Sequence, residues 1–442
     1  MDEYFLGDVY GVSRNIPFSY TPRTLDEQFL AALAEDKHIV LYGGNRQGKS
    51  TLARKHLDQD SCCVIRCAYG QRRYDVYRML LRETGASVAV ERKRRRARGI
   101  GAKVSIFSGD FKSDSETTER TIDIDIGNIN DVLRVVADNG FEKTVIIDDF
   151  QYLGVGDQRE IAEDLKVIYE KSSIKVIIMG TWEEEDRLVN LNGNLAGRVL
   201  SIYAGSWSAD GLAEVVRAGE ELLNVQFTDE IKGRLVAAAE GSVGLLQELC
   251  YRLCASAGIT SNLDRRVRVD DVALVDDAVN KVLAVNSPRF RRFITSYSTY
   301  KKYRYGRPSL SRKWIMHYLL TVEPEVLLRA ATMEEMFESI QRLYPNETAN
   351  EEYTVEKLTK QARKIWRLQR AIGIQPTILA FNDTTETLTI VDRTFVLFLR
   401  HSDRARLVAY LPDGGRDAVD VDGDVSAGNQ LVVPHRGQYV PR

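Results

Sequence analysis

Eight consecutive residues, Gly43, Gly44, Asn45, Arg46, Gln47, Gly48, Lys49 and Ser50, follow the spacing G-x-x-x-x-G-K-[ST], with Thr51 continuing the run. Glycines at both ends let the backbone turn its N–H groups toward phosphate oxygens, and a helix starting near Lys49 adds its positive N-terminal end. Lys49 suits the β- and γ-phosphates, and the Ser50 hydroxyl suits Mg2+. Further along, the apolar run Val145, Ile146, Ile147 ends in Asp148 and Asp149. The carboxyl end of a strand in a parallel sheet faces the ligand crevice, so Asp148 is expected at the metal and Asp149 at the water that attacks the γ-phosphate. Thr181 closes another apolar run and is placed to meet the γ-phosphate or that water; a plain strand-end turn explains it nearly as well. Arg198 is a candidate arginine finger supplied across a subunit interface, against the alternative of an ordinary surface arginine. The ligands implied are ATP and Mg2+.

Such residues need a sheet to carry them. Short apolar runs at residues 38–42, 62–67, 144–147 and 175–179 lack polar alternation, which suits strands buried on both faces. A further short strand is expected at 199–203. The helical spacing of Ile161, Leu165 and Ile168 lies between two of the runs. Strands alternating with helices predict an α/β core over residues 25–205 with a mostly parallel sheet. Strand signals stop near Ser206, and four helical stretches (211–223, 229–239, 245–257, 270–285) predict a helical lid over 206–286. Residues 312–411 read as three helices (312–320, 333–343, 355–372) followed by a hairpin around Asn382 and Asp383, with strands at 378–381 and 387–391, a pattern that predicts a winged helix. Residues 91–120 are expected to be a surface insertion, and 412–442 a loosely ordered tail.

The chain has 442 residues, with 61 Lys+Arg against 63 Asp+Glu, so any nucleic-acid surface must be a local patch rather than a global excess of charge. No apolar run is long enough to span a bilayer, and the N-terminus lacks the order of a secretory signal, which leads to the expectation of a cytoplasmic protein without membrane contact. Five cysteines do not make a disulfide framework. Cys250 and Cys254 share a helical stripe with Leu246, Leu249 and Leu253, which reads as a packed face.

Two local patches are basic. In the stretch 355–372, Lys360, Arg363, Lys364, Arg367 and Arg370 oppose Leu358, Ala362, Ile365 and Ile372, so this helix could enter a DNA groove. The connector 287–311 interleaves Arg289, Arg291, Arg292, Lys301, Lys302, Arg304 and Arg307 with Phe290, Phe293, Tyr297, Tyr300, Tyr303 and Tyr305, a mixture able to grip phosphates and stack on bases. Both patches equally suit packing within the molecule or against a protein partner. Arg92 to Arg98 could be a further phosphate-binding arm or a solvated loop.

Taken together, these motifs resemble an AAA+ type P-loop ATPase over roughly residues 18–285. Phe18, Ser19, Tyr20, Thr21, Pro22 and Arg23 are similar to the N-terminal segment that lies against adenine in replication-initiator ATPases, so Pro22 and Arg23 are carried over as adenine-side residues of a segment spanning 1–24. Gly197 and Arg198, followed by the 199–203 strand and Trp207, resemble the arginine-bearing segment of initiator and transposition-helper ATPases. Two departures matter. The lid stretch Gly241 to Leu246 lacks the arginine found in initiators, and Asp149 stands where glutamate is usual, which implies slow hydrolysis. The lid stretch is closer to transposition-helper ATPases and to STAND signalling ATPases, and the Asp148–Asp149 pair is also typical of STAND proteins, some of which act in phage defence. The resemblance implies a molecular switch that binds ATP, hydrolyses it to ADP and forms a homo-oligomer, associated with DNA or, alternatively, regulated through a protein partner.

Overall fold

The computed structural model describes residues 3–11, 15–85, 87–89, 103–108, 120–299, 310–345, 353–409 and 411. The stretch from Arg92 to Arg98, the connector residues from Tyr300 to Arg307 and the 412–442 tail lie outside the described residues.

Five parallel strands form the central sheet: β1 (His38–Tyr42), β2 (Cys62–Arg66), β3 (Thr144–Asp148), β4 (Val176–Gly180) and β5 (Val199–Tyr203). Their order is β2-β3-β4-β1-β5. Every residue of β1 and β4 is buried. Alternation along β1 explains why. Val40 and Tyr42 enter a core built with helices Arg73–Glu83, Ile129–Asp138 and Val155–Lys171, while Ile39 and Leu41 enter a second core with helices Thr24–Ala34 and Lys49–His56. A strand covered on both sides carries no polar alternation, and that is the pattern its sequence shows.

The expected insertion is more ordered than its composition suggests. Strands Ser87–Ala89, Lys103–Ser108 and Arg120–Asp125 pair antiparallel, so a strand lies inside the 91–120 stretch. Cross-strand pairing, a contact distant in sequence, builds it where local charge suggested only loop.

The lid region holds helices Ala209–Leu223, Asp229–Ala238 and Val243–Ser256, each started by a hydroxyl cap: Ser208, Thr228 and Ser242 accept from the N–H groups of Gly211, Ile231 and Leu245. Contrary to the all-helical expectation, Val225–Phe227 and Val267–Val269 pair as two short parallel strands. At three residues each they are too short for a period-2 signal to emerge. Cys250 and Cys254 are fully buried in this core.

The next helix corrects the connector. Ala273–Thr299 is one helix of 27 residues. Phe290, Phe293 and Tyr297 fall on one face and are fully buried, with Phe290 5.2 Å from both Phe395 and Phe398 by ring centroids. These aromatics pack into the protein and cannot stack on bases. Arg289 is drawn inward too, paired with the buried carboxylate of Asp392.

The C-terminal unit contains helices Leu310–Thr321, Met333–Leu343, Val355–Ala362, Ile365–Ala371 and Arg393–Arg400. The hairpin Leu379–Asn382 with Thr387–Ile390 gains Ala331–Thr332 as a third antiparallel strand. The single helix expected over 355–372 is two. The backbone tightens where they meet, with Lys364 N–H bonded to Gln361 O three residues back, and Arg363 reaches Asp383 and Glu386 of the hairpin. Lid and C-terminal unit share one continuous apolar core.

Candidate functional site

The phosphate loop starts where β1 leaves the sheet. Gly43 has φ 139°, and a Cβ there would sit 2.2 Å from the Ala204 carbonyl oxygen, so only glycine lets the chain turn beside β5. The turn ends at Gly48, which leads into the Lys49–His56 helix. The Lys49 ammonium lies back on its own loop, donating to Gly43 O at 3.0 Å and Gly44 O at 2.7 Å. Burial lowers its pKa to about 8, against the opposing charges of Asp148, Glu183 and Asp149.

Two strands away in the sheet, β3 delivers Asp148 to the same place. Ser50 Oγ donates to Asp148 Oδ2 at 3.4 Å. A hydroxyl and a carboxylate, both hard oxygen donors, suit Mg2+, and phosphate oxygens would supply further ligands. Among the described residues no group of three or more His, Cys, Asp or Glu side chains could hold a metal by itself. The following Asp149 has φ 57°, a left-handed conformation that aspartate tolerates better than most residues. Burial, and then the neighbouring Asp148 charge, raise its pKa.

Sequence reasoning missed the group that holds Asp149. Gln151 Nε2 donates to Asp149 Oδ1 at 3.0 Å, and Gln151 Oε1 accepts from Thr181 N–H at 2.9 Å. Thr181 Oγ1 donates to Asn45 Oδ1 at 2.9 Å. Asn45 then leaves the core: its amide donates to Thr377 O at 2.7 Å and its backbone N–H to Val391 O at 2.8 Å. An unbroken hydrogen-bonded chain therefore joins the Asp149 carboxylate to the C-terminal unit. The position of Gln151, two residues after Asp149, was its only signal.

A cavity of about 290 Å³ is lined by Asn45 through Thr51, Asp148, Asp149 and Thr181 on the core side, and by Val243, Gly244 and Gln247 on the lid side. Gly43 and Gly44 stand behind this lining, holding Lys49. Arg23 lines the cavity; it donates to Gln47 O at 3.1 Å and Gly205 O at 3.2 Å and stacks on Trp207 at 4.4 Å. Pro22 does not. The chain is extended at Arg23, so Thr21 and Arg23 face inward and Pro22 faces solvent. The lid is fastened directly to the loop, with Gly244 N–H donating to Arg46 O at 3.0 Å and Arg46 paired with Glu248 at 2.6 Å.

Arg198 is elsewhere. It precedes β5, at the end of the sheet opposite the phosphate loop, and is paired with Glu170 at 2.9 Å. Within one chain it does not reach the cavity.

Residues 32–188 match the family described as an AAA domain. No curated protein sequence matches the chain. Among solved structures, a Walker-type ATPase of Pyrococcus abyssi is similar over 89% of this chain and 99% of its own, at 15% identity and a TM-score of 0.50. This likeness is one of fold. The Aeropyrum pernix ORC2 protein (11% identity, 93% and 98% coverage, TM-score 0.46) and the ORC1 protein of the same organism, solved in complex with DNA (14%, 89% and 98%, TM-score 0.40), are also similar.

Proposed function

We propose that this chain, whose core is an AAA-type P-loop ATPase, acts as a nucleotide-controlled switch in which the occupant of the phosphate loop sets the position of the C-terminal unit. The observation that carries this reading is Asn45, which bonds both Thr181 in the core and the backbone of Thr377 and Val391 in the C-terminal unit. A γ-phosphate arriving beside Lys49 and Thr181 would compete for these same groups. In this reading Lys49 leaves the carbonyls of Gly43 and Gly44 for the phosphates, and the loop N–H groups from Asn45 to Thr51 bind the phosphate oxygens. Ser50 and Asp148 would hold Mg2+, which would supply positive charge to neutralise the charge developing on the phosphates. Asp149, fixed by Gln151, orients the attacking water; its short side chain makes hydrolysis to ADP slow. Arg198 is a finger only if a second copy of the chain presents it, which ties turnover to homo-oligomer formation.

A second reading adds DNA. Lys360, Arg363, Lys364, Arg367 and Arg370 are all exposed on the two helices that follow residue 354 and the junction between them. Arg363 is already paired with Asp383 and Glu386, and Arg370 lies over Tyr69 of the core, so part of this face works within the molecule. That internal use favours the switch with a protein partner. Oligomer size and ATP turnover, measured together with and without duplex DNA at several salt concentrations, test both readings. The switch predicts ATP-dependent assembly; DNA association predicts stimulation that falls steeply with salt. Assembly indifferent to ATP would overturn the switch.

A further inference from the structure

The lid presents one more polar group to the cavity. Gln247 sits four residues beyond Val243 on the Val243–Ser256 helix, about 6 Å along its axis from the end that abuts the phosphate loop. It lines the cavity together with Pro17, Ser19 and Val215. The orientation of its amide is fixed by hydrogen counting. Ser19 has a single hydroxyl hydrogen, which goes to Val9 O at 2.6 Å. Toward Gln247 the Ser19 oxygen can therefore only accept, and it does so from Nε2 at 2.9 Å. The carbonyl end must face the other way. Gln247 is 6% exposed, and its Oε1 is buried without a hydrogen-bond partner among the described residues. Buried acceptors are rarely left unmatched, and one carried by a residue that lines a ligand cavity points to a donor on the ligand.

We propose that Gln247 reads the base of the nucleotide: its Oε1 accepts a hydrogen bond from the exocyclic 6-amine of adenine, and Ser19 holds the amide in the orientation that makes this possible. The inference rests on the nucleotide-binding reading above. A base bearing a carbonyl oxygen at that position sets two acceptors against each other. The site then selects against it by leaving buried polar groups unpaired.

Calorimetric titration of the full chain with ATP, ITP and GTP tests this. ITP differs from ATP in carrying a 6-oxo group in place of the amine, and GTP adds a 2-amine. ATP is expected to bind about tenfold more tightly than either, the scale of one buried hydrogen bond. Gln247→Leu should collapse the ATP to ITP ratio, weakening ATP by the lost acceptor and relieving the clash that holds ITP back. Ser19→Ala frees the amide to rotate and should narrow the ATP to ITP ratio by improving ITP, a gain that a merely structural role would not produce. If Gln247→Leu does not fold, the wild-type ratio and Ser19→Ala decide the matter. Equal binding of ATP and ITP by the wild-type chain overturns the inference and leaves the nucleotide site standing. So does GTP binding as tightly as ATP while ITP binds weakly, because the 2-amine would then be the donor. Failure of all three to bind removes the nucleotide reading and this one with it.

Discussion

Lys49 carries the residue-scale argument. In the free protein it is buried against two carbonyls with its pKa lowered to about 8, whereas a triphosphate would hold it charged. Binding above that pH must take up a proton. ATP affinity should fall between pH 8 and pH 9.5, by up to about tenfold per unit, and titrations in buffers of different ionisation enthalpy should register the uptake. The stability linkage has its own sign. Because the folded pKa lies below the ordinary lysine value of 10.5, the unfolded chain binds more protons between about 8 and 10.5, so the Lys49 contribution becomes less unfavourable as pH rises through that window. Lys49→Met should therefore stabilise the nucleotide-free protein most at neutral pH, with the gain shrinking toward pH 10 in denaturation experiments. At Asp149 the expectation is a split between binding and turnover. Asp149→Asn keeps the bond from Gln151 within reach of Oδ1 but removes the charge proposed to orient water. Turnover should drop by about 10²-fold with ATP affinity nearly unchanged, and phosphate release measured beside calorimetry separates the two.

At the scale of elements, the lid helix and the phosphate loop touch through backbone. A Cβ on Gly244 would come within 2.8 Å of Arg46 Cβ and 3.1 Å of Arg46 O. Gly244→Ala should cost about 1–3 kcal/mol in chemical denaturation through that clash. Gly233, inside the Asp229–Ala238 helix with open space around it, is the control: Gly233→Ala should gain about 0.5–1 kcal/mol. The elements of the core were legible in the sequence because burial on both faces leaves continuous apolar runs, and β1 and β5 have the bounds expected for them. Helix Met333–Leu343 was legible for a different reason, its Thr332/Glu335 capping box and amphipathic spacing being local. What escaped depends on partners far away in sequence: the Lys103–Ser108 strand, the Val225–Phe227 pairing, and the burial of Phe290 and Phe293 against Phe395. The site divides in the same way. Spacing exposed the loop and the aspartate pair, while Gln151 and Gln247 belong to the site only because β4 brings Thr181 to the first and the N-terminal segment brings Ser19 to the second.

Across the whole molecule, the lid and the C-terminal unit are one body by their shared core, although the chain order presents them as two. Phe293 is fully buried at their junction, where it meets Tyr297 and Phe395. Phe293→Ala should cost about 3–5 kcal/mol, and the calorimetric transition that shifts should carry the heat of both units together. A separate, unshifted melting of the C-terminal unit would disprove the shared body. The helix Ala273–Thr299 contributes Val275 to Tyr297 to that shared core along its 27 residues, about 40 Å of helix with Pro288 inside it. Because that core holds the helix, the body moves with it as a lever arm: a tilt of about 10° at the end near the lid sweeps a point about 40 Å away through roughly 7 Å. Displacements of an ångström beside a phosphate, too small to expose any surface by themselves, are thereby geared up to the size of a side chain.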